Sequence, residues 1–145
     1  MKITTPFALL LVLAQTVPAL ADHELENRDI ARGEQLYQDN CAACHGADLE
    51  GQANWQTPNA DGTMPAPPHD VTGHTWHHDN QLLFDYTKFG GQGALALRGI
   101  DDFNSAMPAF DGVITDEDVW DILGFIRSRW PERAQEIQAS RNRVH

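Results

Sequence analysis

Cysteine is almost missing: the 145 residues contain two. That count excludes the multi-bridge disulfide framework of a small secreted scaffold, and no second Cys/His pair stands at the spacing of a structural zinc site. Basic residues are also few, 10 Lys and Arg against 21 Asp and Glu, for a formal net charge of −11. A surface of that sign argues against nucleic acid as a partner. It favours solubility, and beyond plain solvation it would steer the chain toward a partner with a basic docking surface. Long apolar runs are lacking as well, since the one at residues 7–14 falls well short of the roughly 20 residues of a membrane span. No nucleophile–base pair of the hydrolase kind stands out.

What is present begins at the N-terminus. Lys2, the apolar run 7–14 and the small-x-small triplet Ala19-Leu20-Ala21 read as a secretory signal peptide over residues 1–21. Cleavage would leave a chain starting at Asp22 with no stable membrane span, periplasmic or secreted; an uncleaved leader would be an anchor. Residues 22–145 then make one small domain, with 130–145 as a polar C-terminal extension.

The two cysteines lie in Cys41-Ala42-Ala43-Cys44-His45, the spacing of covalent c-type haem attachment. Each thiol adds to one haem vinyl group, and the adjacent imidazole lies where it can bind the iron. A redox Cys-x-x-Cys would be expected in a βαβ setting, and no such setting is visible. Haem c is joined outside the cytoplasm, so the export signal and the motif support one another. The haem also adds a large buried apolar plate to an otherwise modest core.

Around the motif the periodicity predicts helices. Ile30, Ala31, Gly33, Leu36 and Tyr37 share one side of a helix over 28–40. Gly33 in its interior weakens it, which suggests close approach by another helix. Residues 22–27 read as polar and frayed. The Gly-, Pro-, Asn- and Asp-rich stretch 47–73 reads as an Ω-like loop. Leu82, Leu83, Tyr86 and Phe89 predict a middle helix over 79–89, ended by Gly90-Gly91. Residues 92–104 read as a second loop, with Ala94-Leu95-Ala96-Leu97 too short to classify. Thr115 is a candidate N-cap before an acidic first turn, and Val119, Trp120, Ile122, Leu123, Phe125 and Ile126 form the buried stripe of a helix ending near Trp130-Pro131. Residues 132–145 read as a short exposed helix or a frayed tail.

Gly33-x-x-Leu36-Tyr37 followed by Cys41-Ala42-Ala43-Cys44-His45-Gly46 resembles the opening of a class I, mono-haem cytochrome c. Thr115-Asp116-Glu117-Asp118 before an apolar helix containing Gly124-Phe125 resembles the C-terminal helix of the same family. The resemblance implies an all-α fold, three main helices and Ω-like loops wrapped around one covalent haem, with the first and last helices crossing at Gly33. It implies a single-electron carrier, not an enzyme, exchanging with a redox donor and acceptor. Pro65-Ala66-Pro67-Pro68-His69-Asp70 and Gly73-His74-Thr75-Trp76-His77-His78 are similar to a loop in a subset of bacterial c-type cytochromes. Two other classes stay open: a haem subunit of a larger dehydrogenase or oxidase complex, and a haem module with an open sixth site or an added copper site.

The sixth position on iron decides among them, because a thioether there raises the potential and closes the iron to outside ligands. Met107, in Met-Pro-Ala-Phe before the last helix, stands where the resemblance places the axial methionine; Met64 follows His45 so closely that its loop would have to change haem face abruptly. The other ring nitrogen of His45 should donate to a backbone carbonyl, that of Pro58 or Pro65. Trp55, Trp76 and Trp120 are candidates to hydrogen-bond a haem propionate, Trp76 foremost, and Tyr37 is a core residue that doubles as a candidate haem contact. Lys88 and Arg98 are candidate propionate partners or solvated surface. His69, His74, His77 and His78 are the unusual feature, open to a copper site, to a haem-propionate or loop-scaffolding role for one or two of them, or to plain exposure.

Overall fold

A computed structural model describes residues 23–142; the expected signal peptide, residues 1–21, lies outside them. The described residues form five helices and no strand, α1 (Ile30–Asn40), α2 (Ala42–His45), α3 (Asn80–Ala96), α4 (Asp116–Ser128) and α5 (Glu132–Ala139), with single 3-10 turns at His23–Leu25 and Thr75–His77. None of the helices is long and apolar enough to cross a membrane.

Each main helix starts on a polar cap. The Asp29 side chain accepts from the Arg32 N–H and Asp79 from the Leu82 N–H. At α4, Thr115 and Asp118 cap each other's backbone reciprocally, satisfying donors that a helix start leaves unpaired. The crossing of α1 and α4 is the centre of the fold. A Cβ built at Gly33 would stand 2.1 Å from the Asp121 carbonyl oxygen, so the close approach expected at Gly33 is real and is made by backbone. Arg28 pairs with Glu117 at 2.6 Å, and Arg32 pairs with Asp118 and, at 3.8 Å, with Asp121. Beneath these pairs Tyr37 meets the Phe125 ring at 5.5 Å. Val119, Ile122, Leu123, Phe125 and Ile126 are all buried beside it, the stripe that periodicity predicted.

Three stretches are more ordered than their sequence suggests. Gly90 breaks α3 with φ 73° and ψ 166°, a conformation glycine reaches without steric cost, yet the helix resumes and runs to Ala96 where a loop was expected. The carbonyls freed at Thr87 and Lys88 accept instead from the amides of Phe110 and Asp111, at 2.9–3.2 Å, so both stay paired across the break. The N-terminal turn is not frayed, because Leu25 enters the core. The polar extension does not fray: it forms the short helix α5, exposed or half-buried but for Ala134 and Gln138, which are buried, and Gln138 donates to the Asn80 side chain at 2.6 Å and to the His78 carbonyl at 3.3 Å.

Candidate functional site

The site grows out of the end of α1. The Cys41 amide donates to the Tyr37 carbonyl at 2.8 Å, and the Cys41 carbonyl accepts from Cys44 and His45 at 3.1 and 2.9 Å. That single turn stacks positions 41, 44 and 45 on one side, as residues three and four apart on a helix do. Both cysteines are free thiols, Cys41 half-buried and Cys44 exposed. Burial, and then the neighbouring Cys44, push the Cys41 thiol up to about 12.

His45 is 7 % exposed, and its Nδ1 stands 2.9 Å from the Pro67 carbonyl. With Nδ1–H donating there, Nε2 keeps its lone pair for a metal, the arrangement a ligating histidine requires. Burial lowers the pKa of His45 and the Pro67 bond works against that. The partner is Pro67, not the expected Pro58 or Pro65. The loop doubles back: Gln52 and Ala66 bond to each other through the Gln52 amide and side chain at 2.8 and 2.9 Å, and the Leu49 carbonyl accepts from His69 at 2.8 Å. Those bonds bring the carbonyl of Pro67 over the ring and leave Pro65 two residues short.

Sequence reasoning missed what lies against His45. The His69 ring stacks on it at 4.0 Å between centroids and 20° between planes, and meets Tyr37 edge-on at 6.0 Å. The His69 carbonyl accepts from the Trp130 indole N–H at 2.7 Å. Burial pushes the His69 pKa well below the ordinary histidine range, and its Nδ1 is buried without a partner. No local signal identifies this stack, which depends on the long-range closure of the loop.

Met107 is held by its backbone. Its amide donates to Ser105 Oγ at 3.2 Å and its carbonyl accepts from Gly91 at 3.4 Å, so the Met107 segment lies across the break in α3. Met64 sits half-buried in the long loop. The Trp76 indole N–H donates to the Val71 carbonyl at 3.3 Å, and its ring packs on His77. Trp120 stacks on Phe84 in the core at 4.6 Å. Tyr37, fully buried, donates its hydroxyl to the Gly46 carbonyl at 3.0 Å. Lys88 pairs with Asp116 and Asp111, and Arg98 with Asp85 at 2.9 Å. His74 stacks on Trp55 at 5.3 Å and meets His78 edge-on at 5.2 Å. Among the described residues no group of three or more His, Cys, Asp or Glu side chains is arranged to hold a metal ion.

The family described as cytochrome C oxidase, cbb3-type, subunit III, matches residues 28–126, from the start of α1 to within two residues of the end of α4. Cytochrome c6 of Diacronema lutheri is 24 % identical over 101 residues, covering 70 % of this chain and 96 % of that protein. No solved structure matches. The free thiol pair and the imidazole with Nε2 available fit a covalently bound haem c. The chain therefore belongs to the family of cytochrome C oxidase, cbb3-type, subunit III, as a c-type cytochrome that carries electrons on covalent haem c.

Proposed function

We propose that the protein is an exported, periplasmic single-electron carrier with His45 and Met107 as the axial ligands of a haem c joined to Cys41 and Cys44. The bond from His45 Nδ1–H to the Pro67 carbonyl carries this reading, because it commits one ring nitrogen and presents the other as a donor. Haem supplies the one-electron couple. The residues of this chain hold two ligands still, so that little has to move when the charge changes. His45 is fixed by the Pro67 carbonyl, and Met107 by a backbone tied to Ser105 and Gly91. Export is supported by Lys2, the apolar run 7–14 and the Ala19-Leu20-Ala21 triplet. The charge of −11 suits redox partners with basic docking surfaces.

A second reading, a haem subunit of a larger oxidase or dehydrogenase complex, is favoured by exposed apolar side chains. Leu97 and Val113 are about two-thirds exposed, and Ile100 and Phe103 are also uncovered. Co-purification in one complex of constant stoichiometry would support it over a free carrier.

The ligand assignment is tested by optical spectra of the exported, purified protein with Met107→Ala and Met64→Ala. The weak far-red band that ferric iron–methionine bonding gives should be present in the wild type, survive Met64→Ala and vanish with Met107→Ala. Its loss only with Met64→Ala would reassign the ligand, and a high-spin wild type that readily takes up carbon monoxide would replace electron transfer with ligand binding.

A further inference from the structure

The bond to Pro67 settles which tautomer His45 adopts and resists turning of the ring, because Nδ1 lies off the Cγ–Nε2 axis. A second surface lies against the face of the same ring and can limit its plane further. The His69 ring lies 4.0 Å from the His45 ring and within 20° of parallel, a spacing at which two aromatic rings are in face contact. Pro67 and His69 are two residues apart on one stretch, so the acceptor and the wall move as a unit.

That stretch is itself pinned from three sides. The His69 amide donates to the Leu49 carbonyl at 2.8 Å, its carbonyl accepts from Trp130 Nε1 at 2.7 Å, and Tyr37, with no exposure, closes on its edge. The His69 Nδ1 has no partner among the surrounding protein atoms, so the ring is held by its face contact with His45 and its edge contact with Tyr37. A flat ring in face contact limits how far a neighbouring ring can turn.

We infer that His69 is a positioning residue: its ring, stacked on His45 and anchored through Trp130 to the turn between α4 and α5, helps to fix the plane of the axial imidazole. The inference rests on the reading that His45 binds the iron. The consequence would be electronic, because the plane of an axial imidazole selects which iron d orbital holds the unpaired electron in the ferric state. Spin density around the porphyrin then follows from the His69 wall.

The test is proton NMR of the ferric, haem-loaded protein as wild type, His69→Phe and His69→Leu, reading the order and spread of the four haem methyl resonances. His69→Phe keeps a flat ring and should retain the wild-type order; His69→Leu should reorder the methyl shifts or change their spread. A wild-type pattern in His69→Leu, or a displacement in His69→Phe as large as in His69→Leu, would overturn the inference. Should His69→Leu fail to take up haem, Trp130→Phe removes the N–H that holds the His69 carbonyl, together with part of a buried ring, and leaves the His69 side chain itself intact. It should shift the same resonances, and an unchanged pattern would count against the stack. A wild-type spectrum without low-spin, imidazole-ligated iron would refute His45 as the ligand, and the stack with it, whereas a low-spin wild type with unmoved variants refutes the stack alone.

Discussion

At the scale of single residues, Gly33 is where the fold tolerates least. A methyl group there would stand 2.1 Å from the Asp121 carbonyl, and a backbone oxygen inside α4 cannot swing aside as a side-chain tip would. Overpacking of this kind costs about 1–3 kcal/mol and sometimes more. Gly33→Ala should therefore lower the thermal midpoint of the haem-loaded protein despite the better helix propensity of alanine, worth about 1 kcal/mol in the opposite sense. An unchanged or raised midpoint would show that α1 and α4 slide apart freely. Gly33 was legible in the sequence because a glycine on the apolar stripe of a helix has few local uses. Pro67 and His69 were not. Which carbonyl reaches the His45 ring is decided by Gln52 gripping Ala66 and by Leu49 gripping His69, and pairings across such a loop leave no periodic trace.

At the scale of elements, α4 announced both of its ends, and its start can be weighed. Thr115 Oγ1 accepts from the Asp118 amide at 3.2 Å while the Asp118 carboxylate accepts from the Thr115 amide at 3.0 Å and from Arg32 on α1. The Arg32 bond, and then those to Thr115, hold the Asp118 carboxyl below the usual carboxylate range. Removing an N-cap hydroxyl costs about 0.5–2 kcal/mol. Thr115→Ala should lower the unfolding free energy read from denaturant melts by about that amount, whereas Thr115→Ser should nearly restore it; equal losses in both would assign the effect to the lost methyl. The middle helix was legible only in part. Gly90-Gly91 correctly marked a break, but the resumption to Ala96 depends on Phe110 and Asp111 donating to Thr87 and Lys88, a pairing between segments far apart in the chain. The burial of Gln138 in α5 was hidden for a similar reason, since it rests on bonds to Asn80 and the His78 carbonyl.

At the scale of the whole molecule, the histidine-rich end of the long loop is the joint between its parts. The stretch from His74 to His78 follows the Pro67 and His69 segment that faces His45, and Gln138 ties the His78 carbonyl to α5. His74 lies against Trp55 and His78 against His74. Burial lowers the pKa of both; His77 adds to the shift of His74, and His74, His77 and Arg141 add to that of His78, with Asp79 opposing. Both imidazoles are thus favoured neutral in the folded state, while in the unfolded chain they titrate near about 6.5. The unfolded state binds more protons in the interval between, so the stability they contribute is complete above about pH 6.5 and is lost as pH falls through the lower folded values. His69, buried still more deeply, acts in the same direction. The guanidinium midpoint of the haem-loaded protein should therefore fall from about pH 7 to about pH 5, before most carboxylates titrate. In His78→Asn the fall should be shallower, because one of the groups that must take up a proton is gone while His74 and His69 remain. An equally steep fall in that variant would move the acid sensitivity away from this joint and onto the carboxylates that link α1 to α4.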